Sequence, residues 1–190
     1  MAENKVQFGL KNVHFAKLTT TISSGVVTNS WATPVALPGA VNLSLAAEGE
    51  ITPFYADNVV YYRGVSNNGY SGTLEIARVS DSFLTTIIGM TEGTTSKVLT
   101  EVADTEPAAF ALLFEIDGDA DEQKYVLYNC LVTRPDINGA TTTESKEPQT
   151  ATMNLTAIPL SDGKIFARTT NTTPTATSSA WFSSVFEETA

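Results

Sequence analysis

Val41-Asn42-Leu43-Ser44-Leu45-Ala46-Ala47 decides the fold class. Val41, Leu43, Leu45 and Ala47 share one face and Asn42 and Ser44 the other, the period of two of a half-buried strand. Working outward, Val59–Val65 and residues 70–79 flank Asn68-Gly69, and Asn-Gly supplies the two positive φ angles of a type I′ hairpin turn. Phe110–Ile116 and Lys124–Val132 flank the acidic turn 117–122, and residues 151–160 and 164–168 flank Ser161-Asp162-Gly163. Three such hairpin signals predict a mainly β chain, a β-sandwich or barrel. Asn138-Gly139 is a fourth turn signal, or the tip of a long surface loop, since 141–149 is polar and does not alternate.

One flanking α-helix is expected at about 80–89. Ser80 or Asp81 caps it, Phe83, Leu84, Ile87 and Ile88 form its apolar stripe, and Gly89 supplies the stop. A weaker helical candidate is 180–187, with Trp181, Phe182, Val185 and Phe186, after a Thr/Ser-rich stretch at 169–179 that reads as a tether. The expected organisation is a β-domain over 1–168 and a C-terminal segment over 169–190, without internal repeats.

Composition agrees with this reading. The 190 residues include 28 Thr and 15 Ser, and charged residues are only 17% of the chain. Thr favours strands, and the helix formers Lys, Glu and Gln are scarce. Eleven basic against twenty-one acidic residues leave a formal charge of −10, which argues against a phosphate-gripping surface. Cys130 is the sole cysteine and His14 the sole histidine, so no intramolecular disulfide, thiolate metal cluster or ordinary Ser–His–Asp machine is expected. Residues 1–10 do not read as a secretory signal, and the longest apolar run, 107–114, is too short to span a membrane. Neither a cofactor nor membrane insertion is expected.

Two features stand out. Between Lys97 and Lys124 lie eight acidic residues, Glu101, Asp104, Glu106, Glu115, Asp117, Asp119, Asp121 and Glu122, with no basic residue among them. Asp117-x-Asp119-x-Asp121 opens like a calcium loop, but Glu122 stands where the turn wants Gly and Tyr128 where a bidentate Glu belongs. The cluster reads instead as a solvated hairpin tip, or an acidic surface that faces something negative without binding it. The second feature is the aromatic group Phe54, Tyr55, Tyr61, Tyr62 and Tyr70, set among Asp57, Asn58, Arg63, Asn67 and Asn68. That composition suits a protein–protein contact. Glu48 and Glu50, two apart, are the one carboxylate pair with glycosidase-like spacing, and no aromatic cleft accompanies them.

The residues Asn4-Lys5-Val6-Gln7-Phe8-Gly9-Leu10-Lys11-Asn12-Val13-His14 resemble the start of a major tail protein of long-tailed, non-contractile bacteriophages. So does the block Ala47-Glu48-Gly49-Glu50, Phe54-Tyr55-Ala56-Asp57-Asn58, Tyr61 and Asn68-Gly69-Tyr70-Ser71-Gly72-Thr73-Leu74-Glu75-Ile76-Ala77. The resemblance runs from Asn4 to about Leu160 and implies a phage tail tube-like fold. It further implies homo-hexameric rings stacked into a tube, assembled in the host bacterial cytoplasm and carried in the virion tail. Implied partners are other copies of the chain, a tape-measure protein, a tail terminator and distal tail proteins. Viral DNA would transit the lumen without specific binding. The loop over roughly 48–69, with Glu50, Asp57, Asn58, Tyr61, Tyr62, Arg63, Asn67 and Asn68, would reach the neighbouring ring. Because an acidic wall repels a polyanion, Glu101, Asp104, Glu115, Asp117, Asp119 and Asp121 are the candidates to face the lumen. Two alternatives remain: another tail or neck protein such as a terminator, and a carbohydrate- or receptor-binding β-sandwich that stacks ligand on Trp31, Tyr61 and Tyr62. An enzyme lacks a competent residue set.

Overall fold

The computed structural model describes residues 8–118, 122–141 and 148–188. The strands are β1 (Leu10–Ser23), β2 (Val26–Trp31), β3 (Val35–Ala36), β4 (Ala40–Glu48), β5 (Ile51–Ala56), β6 (Val59–Val65), β7 (Gly69–Ile76), β8 (Thr91–Glu92), β9 (Leu99–Thr100), β10 (Phe110–Ile116), β11 (Lys124–Val132), β12 (Ala151–Ala157) and β13 (Phe166–Arg168). Most of them build one antiparallel sheet in the order β2-β1-β10-β11-β12-β7-β4, with β13 on β11 and β3 on β1. The sheet curls until β1 and β4 touch. The fold is thus mainly β, consistent with the expected sandwich with a flanking helix.

Alternation along β10 explains how the curl is filled. Phe110, Leu112 and Phe114 point into its interior with Phe15, Leu74, Ile76, Met153 and Leu155. Ala111 and Leu113 point to the outer face with Ala16, Leu18, Val126 and Tyr128. β11 switches faces midway. Phe110 pairs with Cys130 but Leu112 with Leu127, so two residues of β11 oppose one of β10. That bulge keeps Leu127 and Cys130 both inside, although strict alternation would separate them.

The flanking helix sits where the sequence predicts it, but it is mostly not α. Ser80 Oγ accepts from the Phe83 amide at 3.3 Å, α1 spans only Asp81–Phe83, and a π-helical turn follows at Leu84–Ile88. Thr85 Oγ1 bonds back to the Asp81 carbonyl, and the run Thr85-Thr86-Ile87-Ile88 is β-branched throughout; both loosen an α-helix. Gly89, at φ +86°, ends the turn, and Phe83, Ile87 and Ile88 close one mouth of the curl.

Four pairings differ from expectation. Asn68-Gly69 does not join β6 to β7: β6 pairs with β5 across Asp57-Asn58, whose φ angles of 52° and 61° make the two-residue turn. β7 pairs instead with β4, from Glu48↔Gly69 to Ala40↔Ile76, with Val41 bulged outward. β13 follows its turn but pairs with β11, not β12. The 14-residue β1 folds onto β2 through Ser24-Gly25, a hairpin absent from the sequence expectation.

The C-terminal segment also departs from a tether. Its helix, α2, is Thr175–Ala180, inside the Thr/Ser-rich stretch rather than over 180–187. Thr169 is buried, its amide donating to the Lys124 carbonyl and its Oγ1 accepting from the Lys124 amide, both at 2.9 Å. Beyond α2, Trp181 and Val185 pack on the outer face of β1, β10 and β11, and Trp181 Nε1 donates to the Tyr125 carbonyl at 3.2 Å. The segment covers the sheet because that outer face is apolar.

Candidate functional site: a projecting two-stranded arm

β4 and β7 run beyond the sheet as one long hairpin with β5 and β6. At the junction the Asn68 amide donates to the Glu48 carbonyl at 2.8 Å and the Ser66 amide to the Glu50 carbonyl at 2.9 Å. Ser66 Oγ also accepts from the Glu50 amide, and Asn67 Oδ1 from the Gly69 amide. Two residues, Gly49 and Glu50, thus face three, Ser66, Asn67 and Asn68, and the ribbon kinks there. Gly69 permits it: its φ is +104°, and a Cβ there would collide with the Ala157 carbonyl oxygen. Beyond the kink, six residues of β5 carry the arm about 20 Å outward at ~3.3 Å per residue.

The arm is apolar on both faces, and among the described residues none of its side chains belongs to a core cluster. Ile51, Tyr55, Val60 and Val65 share one face; Phe54, Val59 and Tyr62 share the other; Tyr61 is the extra residue of a bulge. These side chains are 38% to 76% exposed. At about 150–250 Å² for a large side chain, they present roughly 900 Å², close to the ~800 Å² per partner of a standard interface. Scattered exposed apolar residues are ordinary, whereas this many gathered on the two faces of one ribbon mark a contact.

The structure brings the expected contact residues together on this arm. Asp57 and Asn58 form its tip, Tyr61, Tyr62 and Arg63 lie on β6, and Glu50, Asn67 and Asn68 build the kink. Ile51, Val59, Val60 and Val65 belong to the same surface and were not expected; their signal was an apolar pattern on both faces of a strand. Tyr70 does not belong to it, packing edge-on against Phe166 in an apolar groove with Leu45, Phe114, Tyr125 and Leu127.

The acidic residues do not form one patch. Glu101 and Asp104 precede β10 and Glu115 and Asp117 close it, so a whole strand, about 23 Å at ~3.3 Å per residue, separates them. Glu101 pairs with Arg134 at 2.6 Å. Glu115 is only 2% exposed and receives Lys11 Nζ at 3.0 Å and Asn12 Nδ2 at 2.9 Å. It therefore leaves the set of solvent-facing lumen candidates. Asp117 is exposed, and Lys11 at 3.0 Å holds its carboxyl below the ordinary range. Asp104 is exposed. Asp119 and Asp121, and with them the calcium-loop reading, lie outside the described residues.

Nor do Trp31, Tyr61 and Tyr62 make one platform. Trp31 lines a cleft of about 220 Å³ with Tyr128, Asn29, Asp162 and Lys164, and no arm residue lines it. Its indole N–H donates to the Tyr128 carbonyl at 3.0 Å. Glu48 and Glu50 straddle the kink, with Glu48 accepting from Ser71 Oγ, and Glu50 is exposed. Among the described residues, no helix is long and apolar enough to cross a membrane. No family model matches the chain, and neither does any curated protein.

Proposed function

We propose that this chain is a structural virion protein that self-assembles into stacked, hexameric rings forming the tail tube of a long-tailed, non-contractile phage, the conduit for DNA ejection. One observation carries the reading: the arm. An isolated two-stranded ribbon is marginal in water, and one that exposes both apolar faces costs hydration free energy at every side chain until a partner covers it. A self-assembling subunit supplies that partner as another copy. Of the residues that resemble tail tube proteins, the central block, Ala47 to Glu50, Phe54 to Asn58, Tyr61 and Asn68 to Ala77, builds the arm and its root, while the block Asn4 to His14 leads into β1. Six-fold closure, the tape-measure filling and the terminator and distal tail partners rest on that resemblance.

The charge supports the same reading. A duct for DNA must confine a polyanion without gripping it, and a chain of charge −10 binds phosphate poorly. Glu101, Asp104 and Asp117 remain solvent-facing candidates to line such a duct.

The test replaces residues 51–65 by a two-residue Asn-Gly turn joining Glu50 to Ser66. The expected product keeps the wild-type thermal midpoint and forms no tubes. Tubes formed without the arm would contradict the reading. Single rings from the intact chain would favour a terminator instead, and a persistent monomer that binds a glycan array would favour the carbohydrate-binding alternative.

A further inference from the structure

A single row of Cα partners crosses the sheet: Ala47, Tyr70, Ala157, Cys130, Phe110 and Lys17. From this row β7 runs into the arm toward lower residue numbers. β1, which is parallel to β7 through the intervening antiparallel pairings, runs the other way into the β1–β2 hairpin. The chain therefore projects two ribbons from opposite strand ends.

The two ribbons share a low charge. Residues 19–30 contain no charged side chain, and residues 51–65 contain one Asp and one Arg, whereas the chain as a whole carries −10. Two copies of like charge repel one another, and two ribbons with so little charge can meet at low electrostatic cost. Ile22 and Val26, at 72% and 63% exposure, give the second ribbon its own apolar surface. Among the described residues β2 pairs with β1 alone, so its outer edge offers amides and carbonyls to a further strand, as do both edges of the arm.

We propose that the arm of one copy seats on the β1–β2 hairpin of the next copy, making the contact head-to-tail. This rests on the self-assembly reading and names the surface that receives the arm. A two-fold arm-to-arm contact would close as a dimer and leave the second ribbon uncovered. The head-to-tail contact covers both ribbons and leaves each copy able to add another.

The experiment uses two full-length variants altered only at exposed positions: an arm variant, Phe54→Ser with Tyr62→Ser, and a hairpin variant, Ile22→Lys with Val26→Lys. Light scattering is read for each alone and for an equimolar mixture. Each variant alone is expected to stay at the 20.3 kDa of one subunit. The mixture is expected to give a complex of twice that mass and no larger, because one intact arm meets one intact hairpin. A mixture that stays monomeric, or a hairpin variant that elongates like wild type, overturns the contact; the latter leaves the tube reading standing. A wild-type chain monomeric at every concentration overturns both. Should either variant fail to fold, the pair Val26→Cys and Tyr62→Cys in one chain gives the same answer. With Cys130 buried, oxidation is expected to yield a covalent ladder, and an absent ladder overturns the contact.

Discussion

Cys130 and Tyr128 lie two apart on β11 yet face opposite sides of the sheet, and both hold their protons more tightly than usual. Burial pushes the Cys130 thiol up to about 12 from 9.0, and the Tyr128 phenol up to about 12 from 10.0, the latter helped by the acidic Glu187 nearby. A raised pKa means that the unfolded chain releases the proton first. The stabilising contribution is therefore complete below about pH 9 and is lost as pH climbs from there to about 12, at roughly 1.4 kcal/mol per pH unit for the thiol. Thermal midpoints measured from pH 8 to 11 are expected to fall more steeply for wild type than for Cys130→Ala. Equal slopes would contradict this assignment. Lys11, Asn12, Glu115 and Asp117 carry a second prediction. Glu115→Lys sets an ammonium against Lys11 in a buried place and is expected to cost about 3 kcal/mol by chemical denaturation. Asp117→Lys, fully exposed, is expected to leave the midpoint nearly unchanged. The sequence showed this region as uninterrupted acid; it did not show that β1 brings Lys11 alongside, because that neighbour is more than a hundred residues away.

Among the elements, the C-terminal segment and the arm are opposite cases. Trp181 is 3% exposed and fills the outer face of the sheet. Trp181→Ala is expected to lower stability by about 3–5 kcal/mol, as for other large core rings. A loss below about 1 kcal/mol would mean that the segment is the loose tether its Thr-rich lead implies. Helix existence, strand alternation and the β10–β11 hairpin were legible, since each depends on local period and turn chemistry. Partner choice was not. Asn68-Gly69 is a stronger hairpin signal than Asp57-Asn58, yet the latter makes the turn, because long-range pairing of β4 with β7 buries Leu43, Leu45 and Leu74. The bulge in β11 and the docking of Trp181 likewise answer to tertiary packing rather than to local pattern. The contact residues were legible as a composition, Tyr, Asn and Arg together, but their projection clear of the core was not.

At the scale of the whole molecule, charge and shape act against one another. Copies of charge −10 repel, while in the proposed assembly an arm with some 900 Å² of apolar surface, at the per-residue areas above, draws them together. Salt shortens the Debye length from about 30 Å at 0.01 M to about 8 Å at 0.15 M. Assembly is therefore expected to need less protein as salt rises, the reverse of an interface held by ion pairs. Turbidity against concentration at three salt levels measures it. The proposed lining of the lumen makes a further claim: Glu101→Lys with Asp104→Lys is expected to slow genome exit if these residues face the lumen, and unchanged ejection kinetics in such a particle would remove them from it. The most direct measurement is electron microscopy of the purified chain, concentrated at physiological salt. Tubes with a regular axial repeat are the result expected here, and a field of monomers at every concentration would contradict it.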